Sequence, residues 1–469
     1  MLGLLAQSYF RNGELFNMEA KDIEGLNILL GRGKQFAFDA ELLSGGNINY
    51  VYRVGIRDVP ETSEERKGVI DAGVKSVVVK HYEDHIRVFP TAKFSVDRAV
   101  FEARCLAFLN SDQNFDKTIF PPDLRFSGRA SLPVRTPKIY HFDQNTRSIV
   151  MEDIGKVPDL PTWLSSPSTR KEDVVFVARS IASWVLELHK QTCSVDALSR
   201  LRPLLLNHTV AATLDEVHYG HINELLRKSL DVEHAKALID FIRETNERKE
   251  LLQRQDVKSD SKQEPQCLIL GDLWPYAIHV QEMPVVDTNA NPSIQIYLLD
   301  FEFATISHPV IDAAQLLPFL HILQCYPETP LTNSAYENYN LFQRVCGECM
   351  LRETSLMNLS RSVRIPTPRH TGLVEWHYSL LASGACSMVY ESGEEAGISA
   401  YPNIPVGFQT DQVKATLFET AVSILDFARK RWHGPRNGYK HPEPHIDVEA
   451  LSRHCPSLFS VGALSWLLS

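Results

Sequence analysis

Short apolar, strand-like runs separated by polar and glycine-rich stretches mark the first third of the chain, and apolar positions recur at helical spacing over most of the remainder. The strand-like runs lie at residues 35–43, 50–55, 76–80, 136–140 and 148–155. One helical pattern, at residues 96–109, interrupts them, and helical patterns dominate from residue 170 onward. The sequence therefore predicts an α+β protein with a small antiparallel sheet and one helix in residues 1–152, followed by a mainly helical region in residues 153–469.

Two strand-like runs in the second region stand apart because each ends at a carboxylate. Residues 268–271 lead to Asp272, and residues 296–299 lead to Asp300. The polar turn between these runs is short enough for the strands on either side of it to be neighbours. One acid could accept the proton of a hydroxyl while the other could hold Mg²⁺, and phosphoryl transfer requires both functions.

The composition of the chain argues against nucleic acid and membranes as partners. The chain has 469 residues, 44% of them hydrophobic and 23% charged, with a formal net charge of -10. That charge argues against a general surface for nucleic acid or for an anionic membrane. No apolar run reaches the roughly 18 residues that a membrane helix requires. Eight scattered cysteines favour a reducing, cytoplasmic setting, and the sequence contains no signal for the oligomeric state.

The turn between the first two predicted strands is rich in glycine and polar residues. Such a turn lets backbone N–H groups approach a phosphate closely, and polar side chains can add hydrogen-bond donors. An ordinary hairpin turn explains the same residues. The candidate nucleotide-binding residues in this turn are Gly45, Gly46, Asn47 and Asn49.

Three charged residues follow in an order that suits a triphosphate. Lys80 ends an apolar strand and could neutralise phosphate oxygens, and Glu102, within the predicted helix, could hold its ammonium group in place. Edge protection by Lys80 and a surface position for Glu102 are the alternatives. Glu302 lies two residues after Asp300, so in an extended segment both carboxylates would point to the same side, toward a metal ion. For Asp312, near the start of the next helix, the helix dipole is a sufficient explanation.

These motifs, taken in order, resemble those of the protein-kinase-like superfamily in its small-molecule branch. The matching segments are the glycine-rich turn at 44–54, Val-Val-Val-Lys at 77–80, Gly-Asp-Leu-Trp-Pro at 271–275 and Asp-Phe-Glu-Phe-Ala at 300–304. The branch includes aminoglycoside phosphotransferases, choline kinases and, nearest by motif, methylthioribose kinases. The resemblance covers roughly residues 35–320. It implies a bilobal protein-kinase-like fold, with an N-lobe at 1–152 and a helical C-lobe at 153–469.

The resemblance also implies an ATP- and Mg²⁺-dependent small-molecule kinase whose partners are ATP and a small-molecule acceptor. By this resemblance Asp272 is the catalytic base, and Asp300 and Glu302 bind the metal. The implied ATP-binding residues are the four residues of the glycine-rich turn together with Lys80, Glu102, Glu152 and Ile154, the last two through backbone atoms that contact adenine.

Two positions depart from the pattern of the branch. The usual histidine before Gly-Asp is Leu270, and the usual asparagine five residues after the aspartate is Ala277. The Ala277 side chain cannot bind a metal, and Glu302 is expected to compensate. A kinase-like protein that binds nucleotide or a partner without turnover is therefore the alternative hypothesis.

The sequence does not identify the acceptor. A thiosugar, a choline-like amine, an aminoglycoside and a specialised-metabolite alcohol all fit. Polar-aromatic residues in the C-terminal helical patterns are candidates for the acceptor pocket, and helix packing explains them equally well. These candidates are Trp376, His377, Tyr378, Arg431 and Trp432.

Overall fold

A computed structural model describes most of the chain between residues 38 and 359. The described residues are 38–43, 48–56, 74–87, 89–110, 120–121, 123–128, 133–208, 221–254, 266–283, 294–325, 331–359, 422 and 429. Among them, the helices are all too short or too polar to cross a membrane. The predicted acceptor residues and the predicted helices beyond residue 360 lie almost entirely outside these ranges.

The chain divides into two compact units. Unit 1 comprises residues 1–127, 135–157 and 297–303, and unit 2 comprises residues 128–134, 158–296 and 304–469. Segment 297–303 contains Asp300 and Glu302, which the sequence analysis assigned to the second domain. The predicted boundary between residues 152 and 153 stays a prediction.

Unit 1 is built on an antiparallel five-stranded sheet. Its strands are β1 (Phe38–Leu42), β2 (Tyr50–Ile56), β3 (Ser76–His81), β7 (Ile139–Asp143) and β8 (Ser148–Glu152). Their order is β1-β2-β3-β8-β7, so both predicted hairpins are confirmed. A separate pair, β4 (His85–Ile86) and β5 (Phe89–Lys93), precedes the helix α1 (Arg98–Asn110). That helix packs on β7 and β8.

The remaining helices of the described residues belong to unit 2. They are α2 (Leu160–Ser165), α3 (Lys171–Thr192), α4 (Val195–Leu205), α5 (His221–Ser229), α6 (Val232–Arg254), α7 (Val310–Cys325) and α8 (Asn333–Leu359). The long helix α3 begins with Glu172 and Asp173 in its first turn, where the helix dipole favours acids. One face of α3 is buried, and this helix packs against α8. The α+β class is therefore confirmed.

Short strands flank the two carboxylate runs. β9 (Cys267–Ile269) pairs antiparallel with β12 (Thr305–Ser307), with Ile269 opposite Thr305. A three-stranded sheet has the order β10-β11-β6, where β10 is Ile278–Glu282, β11 is Ile294–Leu298 and β6 is Val134–Arg135. β10 and β11 lie on either side of the polar turn, so the prediction that these strands are neighbours is confirmed.

Candidate active site

Lys80 lies in the centre of the unit 1 sheet. It is on β3, opposite Val51 of β2 on one side and Ile149 of β8 on the other. The side chain is buried, so edge protection does not explain this lysine. Its Nζ donates to Glu102 Oε2 and to Asp300 Oδ1, both at 2.8 Å. The sequence pattern thus located an ammonium group that the fold places between two carboxylates.

The pKa values in this cluster follow from burial and charge. Burial by itself would lower the pKa of Lys80, but the charges of Asp300, Glu102 and Glu302 outweigh it and raise that pKa well above its usual range. Burial raises the pKa of Glu102, and Lys80 acts in the opposite direction. Lys80 is consequently a permanent cation, which is what a contact with phosphate oxygens requires.

Tyr82 is a second partner of Glu102. Its hydroxyl donates to Glu102 Oε2, the same oxygen that accepts from Lys80. The ring is fully buried. Burial, followed by the charge of Glu102, raises the pKa of Tyr82 well above its ordinary value, so the phenol keeps its proton and remains a donor. Sequence reasoning missed this residue because nothing in the local pattern distinguishes it from core.

The segment that carries Asp300 is not extended. Asp300 adopts a left-handed conformation with φ 58°, and Glu302 lies in a turn before β12. The extended geometry assumed for Asp300 and Glu302 is therefore wrong, and the two-residue periodicity of a strand does not apply. The Asp300 side chain is 43% exposed, whereas Glu302 is 3% exposed.

Glu302 contacts two residues of unit 1 that surround it. Its Oε2 accepts from Asn49 Nδ2 at 2.7 Å and lies 3.3 Å from Arg98 Nε. Arg98 is completely buried and also donates to Asn49 Oδ1. The side chain of Asn49, expected at the nucleotide, thus contacts protein groups on both sides. Arg98 was not singled out in the sequence, because only the fold places it near Glu302.

Polar contacts also order the end of β8, where backbone contact with adenine is predicted. Glu152 Oε1 accepts from Arg135 at 2.7 Å, and its Oε2 accepts from the backbone N–H of Lys138 at 3.1 Å. Asp153 accepts from Arg53 Nε at 2.8 Å and from Ser76 Oγ at 2.6 Å. These contacts fix the side chains of Glu152 and Asp153, and the roles of Glu152 and Ile154 as adenine-binding residues stay predictions.

In unit 2, helix α7 holds the loop that carries Asp272. Asp312 accepts from the backbone N–H groups of Leu270 and Gly271, at 3.0 and 3.2 Å. Gln315 Oε1 accepts from Leu273 N at 3.1 Å, so backbone groups on both sides of Asp272 are bound. Gly271 has φ 77°, a conformation that side-chain-bearing residues rarely adopt. The dipole explanation of Asp312 is therefore incomplete, because its carboxylate binds this loop.

The two departures from the branch pattern lie in this same unit. Leu270 is buried, and its backbone N–H rather than its side chain makes the polar contact to Asp312. Ala277 is the last residue of a short 3-10 helix, Pro275–Ala277, and is buried. Its methyl group packs in the interior and has no atom that could bind a metal. Three further candidates, Gly45, Gly46 and Asn47, lie outside the described residues.

Comparison with known proteins gives two relatives by sequence, and no family model matches the chain. The chain is 21% identical over 279 residues to the 4-hydroxytryptamine kinase of Psilocybe cyanescens, a match that covers 59% of this chain and 65% of that protein. It is 18% identical over 298 residues to the 4-hydroxytryptamine kinase of Psilocybe cubensis, covering 63% and 71%. The match thus spans less than two thirds of the first relative.

Solved structures of low similarity were found as well. A Plasmodium vivax ethanolamine kinase has a TM-score of 0.39 and 11% identity, with coverage of 84% of this chain and 81% of that chain. A choline/ethanolamine kinase family protein from Mesorhizobium loti has a TM-score of 0.41 and 12% identity, with coverage of 88% and 98%. Both sequence relatives are small-molecule kinases by name, in agreement with the group of proteins that the sequence motifs resemble.

Proposed function

We propose that this chain is an ATP- and Mg²⁺-dependent phosphotransferase that phosphorylates a hydroxyl group of a small metabolite. The observation that carries the proposal is the buried Lys80, whose ammonium group lies 2.8 Å from both Glu102 and Asp300. Buried charges are costly unless they are paired or used. One cation between two carboxylates leaves a net charge of -1 (+1 - 2), which suits a divalent cation.

Each residue of the cluster has a role in this proposal. Lys80 would neutralise phosphate oxygens of ATP while Glu102 keeps its position. Asp300 would hold Mg²⁺, because its carboxylate is a hard oxygen ligand and its side chain is 43% exposed. The metal, when bound, would neutralise the charge that develops on the transferred phosphoryl group. The sequence predicts Glu302 as a second metal ligand, and the KM for Mg²⁺ of a Glu302→Gln variant would decide whether it has that role.

The remaining roles follow from the resemblance. Asp272 would accept or orient the proton of the acceptor hydroxyl. The loop with Gly45, Gly46 and Asn47 would cover the phosphates, and backbone atoms of Glu152 and Ile154 would bind adenine. The relatives act by name on 4-hydroxytryptamine, so hydroxylated aromatic amines are the first acceptors to test.

The test is acceptor-dependent release of ADP from Mg-ATP by the purified chain. The panel should contain 4-hydroxytryptamine, choline, ethanolamine, an aminoglycoside and a thiosugar. Replacement of a general base lowers turnover by roughly 10²- to 10⁴-fold, and we expect Asp272→Asn to fall in that range. The exposed Asp196→Asn is the matched control and should retain full activity. An Asp272→Asn variant with undiminished turnover would remove Asp272 from the mechanism.

Leu270 and Ala277 support a second function, in which the protein binds nucleotide without turnover. In that case Mg-ATP would raise the unfolding temperature while no acceptor in the panel increases ADP release. Stabilisation reaches about 2.7 kcal/mol at a ligand concentration of 100 times Kd. Stabilisation of this size without acceptor-dependent ADP release would favour the binding protein over the enzyme.

A further inference from the structure

Arg98 is the buried centre of a polar cluster that the proposed chemistry does not yet use. We infer that Arg98 is a positioning residue, which holds Glu302 directly and through Asn49 and thereby sets the place of the Asp300 loop. In this assignment Glu302 acts on the loop and does not itself bind the metal. The inference rests on the proposed function, because it assigns roles within the same site.

The guanidinium group of Arg98 is held by backbone carbonyls, by the Asn49 side chain and by the Phe94 ring. Nη1 donates to the carbonyls of Phe94 and Ser95, at 2.9 and 2.7 Å. Nε and Nη2 both donate to Asn49 Oδ1, at 3.1 and 2.9 Å. The guanidinium carbon lies 4.5 Å from the centroid of the Phe94 ring. A planar group with contacts along several of its edges has one orientation, which a lysine could not reproduce.

The amide of Asn49 transmits this orientation to Glu302. Its Oδ1 faces the donors of Arg98, and its Nδ2 donates to Glu302 Oε2 at 2.7 Å. The reverse orientation would place an NH₂ group against a guanidinium and an oxygen against a carboxylate. Both contacts would be repulsive, so hydrogen-bond polarity determines the amide orientation. Asn49 is buried, as are its two partners.

Glu302 in turn determines where the Asp300 loop lies. A buried carboxylate is tolerated when it is paired and hydrogen-bonded, and Arg98 and Asn49 provide both interactions. The neighbouring Phe303 stacks on Phe94 with ring centroids 5.7 Å apart. Two residues before Glu302, Asp300 is bound to Lys80. The loop is therefore bound at both ends, and Asp300 has a defined position for the metal.

An isosteric exchange tests this assignment. Asn49→Asp places a second carboxylate against Glu302, and we expect kcat/KM for Mg-ATP to fall roughly ten- to hundredfold, the range for a lost buried hydrogen bond to a charged group. In the double variant Asn49→Asp/Glu302→Gln, the new carboxamide at position 302 can donate to the new carboxylate. We expect kcat/KM and the KM for Mg²⁺ to return to within roughly fivefold of the unchanged protein, since the two substitutions are coupled.

The single variants complete the cycle. Glu302→Gln retains an oxygen that accepts from Asn49 but leaves the buried Arg98 without its carboxylate partner. We therefore expect a lower unfolding temperature and a lower kcat/KM, with an unchanged KM for Mg²⁺. Arg98→Lys should lower kcat/KM as Asn49→Asp does, whereas Arg179→Lys and Asn145→Asp, both exposed, should have no effect. Thermal unfolding confirms that each variant is folded. If Glu302→Gln and the double variant both raise the KM for Mg²⁺ tenfold or more, Glu302 binds the metal directly and the inference is overturned.

Failure of the proposed function is distinguishable from failure of this inference. If the unchanged protein releases no ADP with any acceptor, turnover is disproved, and the same variants are measured by calorimetric binding of Mg²⁺ with a non-hydrolysable ATP analogue. The positioning role is supported if the affinities of the variants follow the order expected above for kcat/KM. If the unchanged protein binds no Mg-nucleotide at all, both proposals are overturned.

Discussion

At the scale of single residues, each buried charge of the Lys80 cluster has an oppositely charged or hydrogen-bonding partner. Lys80 pairs with Glu102 and Asp300, and Glu102 also accepts from Tyr82. A pair of opposite charges in the interior seldom adds net stability, because desolvation offsets the attraction. Removing one partner is nevertheless costly, since the other charge remains buried. These contacts therefore fix the positions of the charged groups more than they add net stability.

The substitution Tyr82→Phe removes a single hydroxyl and tests whether these contacts position Glu102. The substitution removes a hydroxyl that donates to a buried carboxylate, and hydrogen bonds to charged groups contribute about 1.5–3 kcal/mol. We expect a lower unfolding temperature and a severalfold higher KM for ATP, because Glu102 then has one partner fewer to hold it against Lys80. Both are measured on the purified variant.

The matched control is Tyr339→Phe. Tyr339 is also buried, and its hydroxyl donates to a backbone carbonyl, that of Pro161, at 3.3 Å. Loss of this neutral hydrogen bond should cost about 0.5–1.5 kcal/mol and leave the KM for ATP unchanged. Equal effects of the two substitutions on that KM would contradict a special role for Tyr82.

At the scale of elements, two helices each present two polar side chains one turn apart. On α1, Arg98 and Glu102 are four residues apart and contact Glu302 and Lys80 respectively. On α7, Asp312 and Gln315 are three residues apart and both bind backbone groups of the loop around Asp272. Such spacings place both side chains on one helix face. Each helix therefore acts as a rigid support for one candidate catalytic segment.

Asp312→Asn tests the support in unit 2. The carboxylate accepts from two backbone N–H groups and pairs with His189 Nε2 at 2.9 Å. A carboxamide has a single acceptor oxygen and would direct an NH₂ group toward one of these donors. An unsatisfied buried polar group costs about 1–3 kcal/mol, so we expect a lower unfolding temperature and a lower kcat with KM for ATP little changed. An Asp312→Asn variant with full kcat would show that the Asp272 loop keeps its place without this contact.

At the scale of the whole molecule, stability should depend on pH through Asp153. Burial by itself would raise the pKa of Asp153, but hydrogen bonds from Arg53, Ser76 and the backbone of Gly155 outweigh it, and the pKa is lowered. A carboxylate with a lowered pKa in the folded state stabilises the fold above the pKa of the unfolded chain. That contribution disappears as the pH falls through the folded value.

The measurement is the unfolding temperature of the unchanged protein and of Asp153→Asn as a function of pH. The unfolded aspartate has a pKa of about 3.9. We therefore expect the unchanged protein to be more stable at pH 6 to 7, and the difference to shrink as the pH falls from about 5 to below 3. A difference that is constant over this range would mean that Asp153 does not provide pH-linked stability.

Much of the architecture could be predicted because it depends on local patterns. Short runs rich in β-branched and aromatic residues indicated β1, β2, β3, β7 and β8, and helical spacing indicated α1 and α3 within a few residues of their observed bounds. Four charged candidates were recognised because each follows a strand-like run or interrupts a helical pattern. They are Lys80, Glu102, Asp272 and Asp300. The α+β class and the resemblance to small-molecule kinases depended on these same signals.

The error at Asp300 and Glu302 has a specific physical cause. The strand β11 ends at Leu298, and the left-handed backbone at Asp300 changes the side-chain direction that alternation would give. Conformations with positive φ are rare for residues other than glycine, so no sequence pattern indicated one here.

The sequence by itself determined the main strands of unit 1, the helices α1 and α3, several charged residues of the candidate site and the two departures at Leu270 and Ala277. These depend on periodicity and residue type, which are local properties of a chain. The tertiary structure alone decided that Arg98 and Asn49 meet Glu302, and that Asp312 binds the loop around Asp272. Those partners are separated by 41 to 253 residues, and contacts at such separations arise from packing, which local patterns do not encode.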